Sequence, residues 1–190
     1  DRTTRELAAA VGFLALSRGG RAHLVFIGGN DPQKTIEARG RTGSEIWLRA
    51  IENAAPPFGA ADFAASAKLR FPRRPGVVAA IVSDFLAPEF SPDVLSAVGA
   101  AGNAAAFVVL AHDEVSSATD SGATTLSDPE SGARLVLSDD AEWRAAYAEE
   151  RAAHVAEISR IASSRGVRCV AASGRERFED LVTRSGTGAP

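Results

Sequence analysis

The sequence predicts an α/β fold: an open, mostly parallel sheet with helices on both faces, in one domain. Three observations carry that expectation. First, GVVAAIVSDF (76–85) and AAFVVLAHDEV (105–115) are almost wholly apolar until they end in polar groups. An unbroken apolar run implies a strand covered on both faces, as parallel strands are. Second, strand-like and helix-like segments alternate through the second half of the chain, the pattern of a layered α/β sheet. Third, the 190 residues are 45% hydrophobic and 24% charged, so one sizeable core can be buried. No internal repeat or low-complexity linker divides the chain.

Each element follows from local signals. RTTRELAAAVGFLALSR (2–18) reads as a helix, with Thr3 or Thr4 as cap, Glu6 in the first turn and Gly19-Gly20 at the end. Its apolar positions wrap most of the circumference, which predicts a buried helix. AHLVFIGG (22–29) is an apolar strand closed by glycines. KTIEARG (34–40) follows the turn signal GGNDP, so 22–39 is expected to be a strand pair. GSEIWLRAIENA (43–54) is helical, with Ile46, Trp47, Leu48 and Ile51 as packing residues. Pro56-Pro57-Phe58-Gly59 breaks the chain, and FAASAKLRF (63–71) is a short helix stopped by Pro72.

After the strand that ends in Ser83-Asp84, SPDVLSAVGAAGN (91–103) is a helix opened by Ser91-Pro92 and closed by Gly102. The strand of 105–115 comes next. LSDPESGARLVLS (126–138) reads as a hairpin around Asp128–Gly132. Residues 139–165 form the longest predicted helix, opened by a capping box of Asp139 and Glu142 and stopped by Gly166. Trp143, Tyr147, Ile158 and Ile161 fall near one stripe of it. VRCVAAS (167–173) is the last strand and RERFEDLVTR (175–184) the last helix. Residues 186–190 are expected to be a disordered tail.

Composition excludes some functions. A net charge of −3 gives no general electrostatic reason to expect nucleic acid. The single cysteine, Cys169, cannot form an internal disulfide and reads as a buried thiol in a reduced compartment. The longest apolar run, LAAAVGFLAL (7–16), is about half of what a bilayer span needs. The stretch is therefore expected to be soluble. The absence of methionine, position 1 included, suggests that the chain starts inside a longer protein.

Ligands of open α/β sheets gather at the carboxyl ends of strands. Three predicted strands end in polar groups there: Ser83-Asp84, His112-Asp113-Glu114 and Ser173. Asp84 suits a hard cation, a phosphoacceptor or a general base. It equally suits a residue that only opens a loop and caps the backbone near Leu86. His112, Asp113 and Glu114 alternate in direction along a strand end, which favours solvation over convergence on a ligand. His23 and His154 have no companion at metal spacing and read as solvent or flank positions. The basic stretch Lys68–Arg74 reads as a solvated rim. No dinucleotide fingerprint, phosphate loop or nucleophile elbow is present; GGNDPQK (28–34) lacks the phosphate-loop spacing.

The order of ELAAAVGFLALSRGGRAHLVFIGG, VVAAIVSDFL, VVLAHDEV, LSDPESGARLVLS and AYAEERAAHVAEISRIASSRGVRCVAAS, then RFEDLV, resembles a von Willebrand factor A-type domain. More narrowly it is similar to the bacterial family called domain of unknown function fifty-eight, over nearly the whole chain. The resemblance implies a Rossmann-like three-layer fold over residues 1–185, with a small hairpin insertion. It also implies a metal-ion-dependent adhesion site for Mg²⁺ at the top of the sheet. Asp84 matches the Asp after the fourth strand of that family. The first strand, with its Asp-x-Ser-x-Ser motif, is absent from these residues. Where the family has a Thr, PPFGAADFAAS offers Ala60 or Ala61, with Asp62 beside them as a weak substitute. The implied site is degenerate, and a chain without its central first strand is expected to be marginal or to have the gap filled by another segment.

The function implied is a non-enzymatic protein-interaction module. Family members are often encoded near MoxR-type AAA-plus ATPases, so an adaptor role in complex assembly is expected, in the cytoplasm or at the cytoplasmic face of a membrane. Relatives often carry membrane helices outside this domain. Two alternatives stay open: a Rossmann-like hydrolase or phosphoryl-transfer enzyme using Asp84, and a scaffold that binds partners without metal.

Overall fold

The computed structural model describes residues 2–27, 35–54, 71, 75–86, 90–109, 124–127, 134–137, 141–172 and 178–185. Seven strands and five helices lie among them. They run α1 (Arg2–Ser17), β1 (Arg21–Val25), β2 (Thr35–Arg39), α2 (Gly43–Glu52), β3 (Ala79–Ser83), α3 (Asp93–Gly99) and β4 (Ala104–Val109). Then come β5 (Thr124–Ser127), β6 (Arg134–Leu137), α4 (Ala141–Ser163), β7 (Arg168–Ala172) and α5 (Phe178–Ser185).

The centre is a parallel sheet in the order β3-β4-β7. Ile81 lies opposite Ala106, and Phe107 opposite Val170. β4 is the middle strand and all six of its residues are buried. Period 2 divides them between two faces. Ala104, Ala106 and Val108 join Ala79 and Ile81 beneath α3 and α4, through Val94, Leu95, Val98, Ile158 and Ala162. Ala105, Phe107 and Val109 face the other way, towards Leu7 and Val11 of α1 and Leu181 of α5. The result is three layers: helix, sheet, helix. Burying Phe107 alone contributes about 2–3 kcal/mol.

A second cluster of elements stands beside this sandwich. β1 and β2 form an antiparallel pair, with His23 opposite Glu37. α1 and α2 close over it through Leu16, Trp47 and Ile51 with Ala22 and Ala38. No ladder joins β1–β2 to the three-stranded sheet among the described residues. β5 and β6 pair antiparallel as the expected hairpin.

Several expectations need correction. Helix α1 begins at Arg2, so Thr3 and Thr4 lie inside its first turn and neither is the cap. The helix is not sheathed all round either, since Phe13 is exposed. In α2 the buried residues are Gly43, Trp47 and Ile51, whereas Ile46 and Leu48 are exposed. Steps of four residues keep one narrow stripe inward, and the residues either side of Trp47 lie about 100° away. In α4, Ile158 is buried but Tyr147 is exposed, so the stripe of Trp143, Tyr147, Ile158 and Ile161 is buried at Ile158 and open at Tyr147. Trp143 and Tyr147 instead stack on each other with centroids 5.4 Å apart. The glycine stops hold. At Gly19 and Gly166, both with positive φ, paired bonds close α1 and α4: Gly20 N–H to Ala15 O with Gly19 N–H to Leu16 O, and Val167 N–H to Ala162 O with Gly166 N–H to Ser163 O. All but the last residue of the short helix expected at 63–71, the Asp139 capping partner and the tail at 186–190 lie outside the described residues.

Candidate functional site

Parallel pairing with β4 carries β3 to its carboxyl end at Ser83, where the chain leaves the sheet. Asp84 comes next and is exposed. Its Oδ1 accepts a hydrogen bond from Leu86 N–H at 3.1 Å. Ser83 Oγ accepts one from Phe85 N–H at 3.0 Å. Two short polar side chains therefore satisfy the first free backbone donors of the loop, as Asx and Ser turns do. Capping near Leu86, one of the two readings of Asp84, is what the carboxylate does here. Its other oxygen, Oδ2, has no partner among the described residues.

Between these two bonds lies Phe85, with φ +59° and 2% exposure. A bulky residue in the left-handed region is a genuine outlier. The conformation aims the ring inward, where it meets Phe90 edge-to-face at 5.4 Å and joins the core under β3. It also leaves Asp84 and Leu86, on either side of it, facing solvent; Leu86 is 61% exposed. The site is thus an acid and an apolar side chain presented on a turn with a buried anchor.

A contact from far along the chain reaches the same turn. His154 of α4 places Nε2 2.8 Å from the carbonyl oxygen of Asp84. His154 had read as a flank residue; no periodicity or spacing signals a bond between positions 70 residues apart. His23 is exposed, 3.9 Å from Glu37 across the strand pair, as a solvent position should be. Asp62, the cluster His112-Asp113-Glu114, Ser173 and most of the basic stretch 68–74 lie outside the described residues.

Mg²⁺ is the cofactor implied by the resemblance. Among the described residues no group of three or more His, Cys, Asp or Glu could hold a metal ion. His154 meets the carbonyl of Asp84 and not its carboxylate. The described residues therefore offer one carboxylate ligand and do not by themselves make a metal centre. Cys169 lies half-buried in β7, and burial pushes its thiol pKa up, against a smaller lowering by a hydrogen bond with Ser159. That is the opposite of an activated thiolate.

The family profile described as "Protein of unknown function DUF58" matches residues 1–157. The chain belongs to that family. The match takes in α1 through most of α4, and with them the Asp84 turn and His154. It stops short of β7, which the structure nevertheless pairs with β4 in the DUF58 chain's central sheet. No curated protein and no solved structure matches the chain. Among the described residues no helix is long and apolar enough to cross a membrane.

Proposed function

We propose that this DUF58 domain is a non-enzymatic protein-interaction module, an adaptor for a MoxR-type AAA-plus ATPase in the assembly or maturation of other complexes. One observation carries the reading: Asp84 and Leu86 are both exposed on a turn anchored by the buried Phe85. A charge beside an apolar side chain on a pre-organised turn suits docking, because little ordering entropy is lost on binding. The surrounding von Willebrand factor A-type layers would serve as the rigid support, in the cytoplasm or at the cytoplasmic face of a membrane.

Alanine at 60 and 61, where the family has a Thr, favours a degenerate form of the adhesion site, in which the partner reads the Asp84 carboxylate without an intervening metal. A basic residue of the partner then pairs with it directly. The test is capture of a purified MoxR-type ATPase by the immobilised domain, wild type against Asp84→Ala. A loss of about tenfold or more in affinity is expected for a charge covered by an interface. Unchanged capture would sink the role of Asp84. Mg²⁺ titration of the domain alone, followed at the Leu86 amide, separates the metal-dependent form, which requires a saturable response that disappears in Asp84→Ala. Turnover of a nucleotide or phosphoester that vanishes in the same variant would establish an enzyme instead.

A further inference from the structure

The Asp84 turn is held from outside its own strand. A carbonyl oxygen can only accept, so the bond at 2.8 Å requires a proton on Nε2 of His154. That residue sits where α4 changes character. Positions 144–150 of the helix are all exposed, whereas Val155, Ile158, Ile161 and Ala162 pack against the core under β3 and β4. His154 is thus at the head of the docked half, beside the strand end. The turn it touches contains Phe85 in a backbone conformation that persists only where its surroundings over-determine it. Ser83 Oγ, Asp84 Oδ1 and the Phe90 ring restrain the turn from within nearby sequence. His154 adds a restraint from a remote element, applied to the one carbonyl that precedes Phe85.

We infer that His154 is the positioning residue of the Asp84 turn. Its Nε2–H fixes the peptide between Asp84 and Phe85, and so sets the direction in which Asp84 and Leu86 are presented. What matters is the donor and not the bulk of the ring. The consequence for partner binding rests on the docking role proposed for Asp84; the clamp itself does not.

Two substitutions separate donor from bulk. In His154→Gln the amide nitrogen can take the place of Nε2 and donate the same bond, while His154→Phe keeps a ring and has no donor. Amide hydrogen exchange at Phe85 and Leu86 reads the turn, and exchange at Phe107 and Val108 of β4 reads global opening. In His154→Phe, exchange at Phe85 and Leu86 is expected to quicken about tenfold with β4 unchanged, while His154→Gln stays near wild type. Exchange at the turn that is unaltered in His154→Phe, or equally fast in both variants, overturns the inference. Imidazole ¹⁵N shifts of the wild-type protein test it without any variant: Nε2 must carry the proton, and a ring protonated on Nδ1 alone overturns it. Capture of the MoxR-type ATPase by the same variants keeps the two readings apart. A loosened turn with weakened capture supports both. A loosened turn with unaltered capture retires the docking role and leaves the clamp standing.

Discussion

Phe85 combines two opposing effects at one position. Its left-handed backbone costs about 1–2 kcal/mol for a residue with a Cβ. Its ring is 2% exposed, and removing such a ring costs about 3–5 kcal/mol. Burial therefore wins, which explains why the strain is tolerated. Phe85→Gly relieves the backbone and loses the ring, so the expected result is a net destabilisation of about 2–3 kcal/mol by denaturant unfolding. A variant as stable as wild type would mean that the ring contributes no more than the strain costs. Arg5 shows another residue-scale device. Its guanidinium donates to Ile51 O at 2.8 Å, Glu52 O at 3.0 Å and Ala54 O at 2.6 Å. These carbonyls lie at and just beyond the end of α2, where Ile51 O also accepts from Ala54 N–H, and the positive charge suits the negative end of the helix dipole.

The helix pair α1–α2 is decided by the closest approach between its members. Gly12 of α1 is buried against the Trp47 ring of α2, and a Cβ at that position would overlap the ring. Trp47 Nε1–H completes the contact by donating to Ala8 O at 3.2 Å. Alanine is the better helix former by about 1 kcal/mol, but overpacking costs about 1–3 kcal/mol. Gly12→Ala is therefore expected to destabilise the protein and weaken the packing of Trp47, seen as a red-shifted fluorescence. Gly12→Ala combined with Trp47→Leu removes the clash, and should recover part of the loss if the overlap is its cause. The long helix α4 divides by packing: its second half closes one face of the sheet, while its first half carries the stacked Trp143 and Tyr147.

On the scale of the whole molecule, α1 is the element shared by both strand groups. Leu7 belongs to the cluster with β4 and β7, and Leu16 to the cluster with β1 and β2. Among the described residues β1 and β3 each have one strand partner. Residues beyond the family match carry part of the core. Cutting after Glu157, where the family match stops, removes Ile158, Ala162, Val167, Val170, Ala172 and Leu181 from the core. Their combined burial approaches the whole stability of a domain of this size. The truncated chain should show no cooperative unfolding transition by circular dichroism, although the whole family match is retained.

What the sequence determined by itself was the set of elements and their layering. The apolar runs at 79–82 and 104–109 read as doubly covered strands because burial on both faces leaves no polar position to tolerate. Gly19 and Gly166 read as helix stops because the left-handed cap favours a residue without a Cβ. Asp84 stood out because an acid at the end of such a strand is legible in one dimension. Tertiary structure alone decided the rest. A one-residue step in helix phase, about 100°, put Trp47 inside and Ile46 and Leu48 outside, according to where α1 lay. The inward turn of Phe85 and the bond from His154 to the Asp84 carbonyl depend on how α4 crosses the end of β3. Local patterns report on neighbours within a few residues, and a contact spanning 70 residues exists only once the layers have closed.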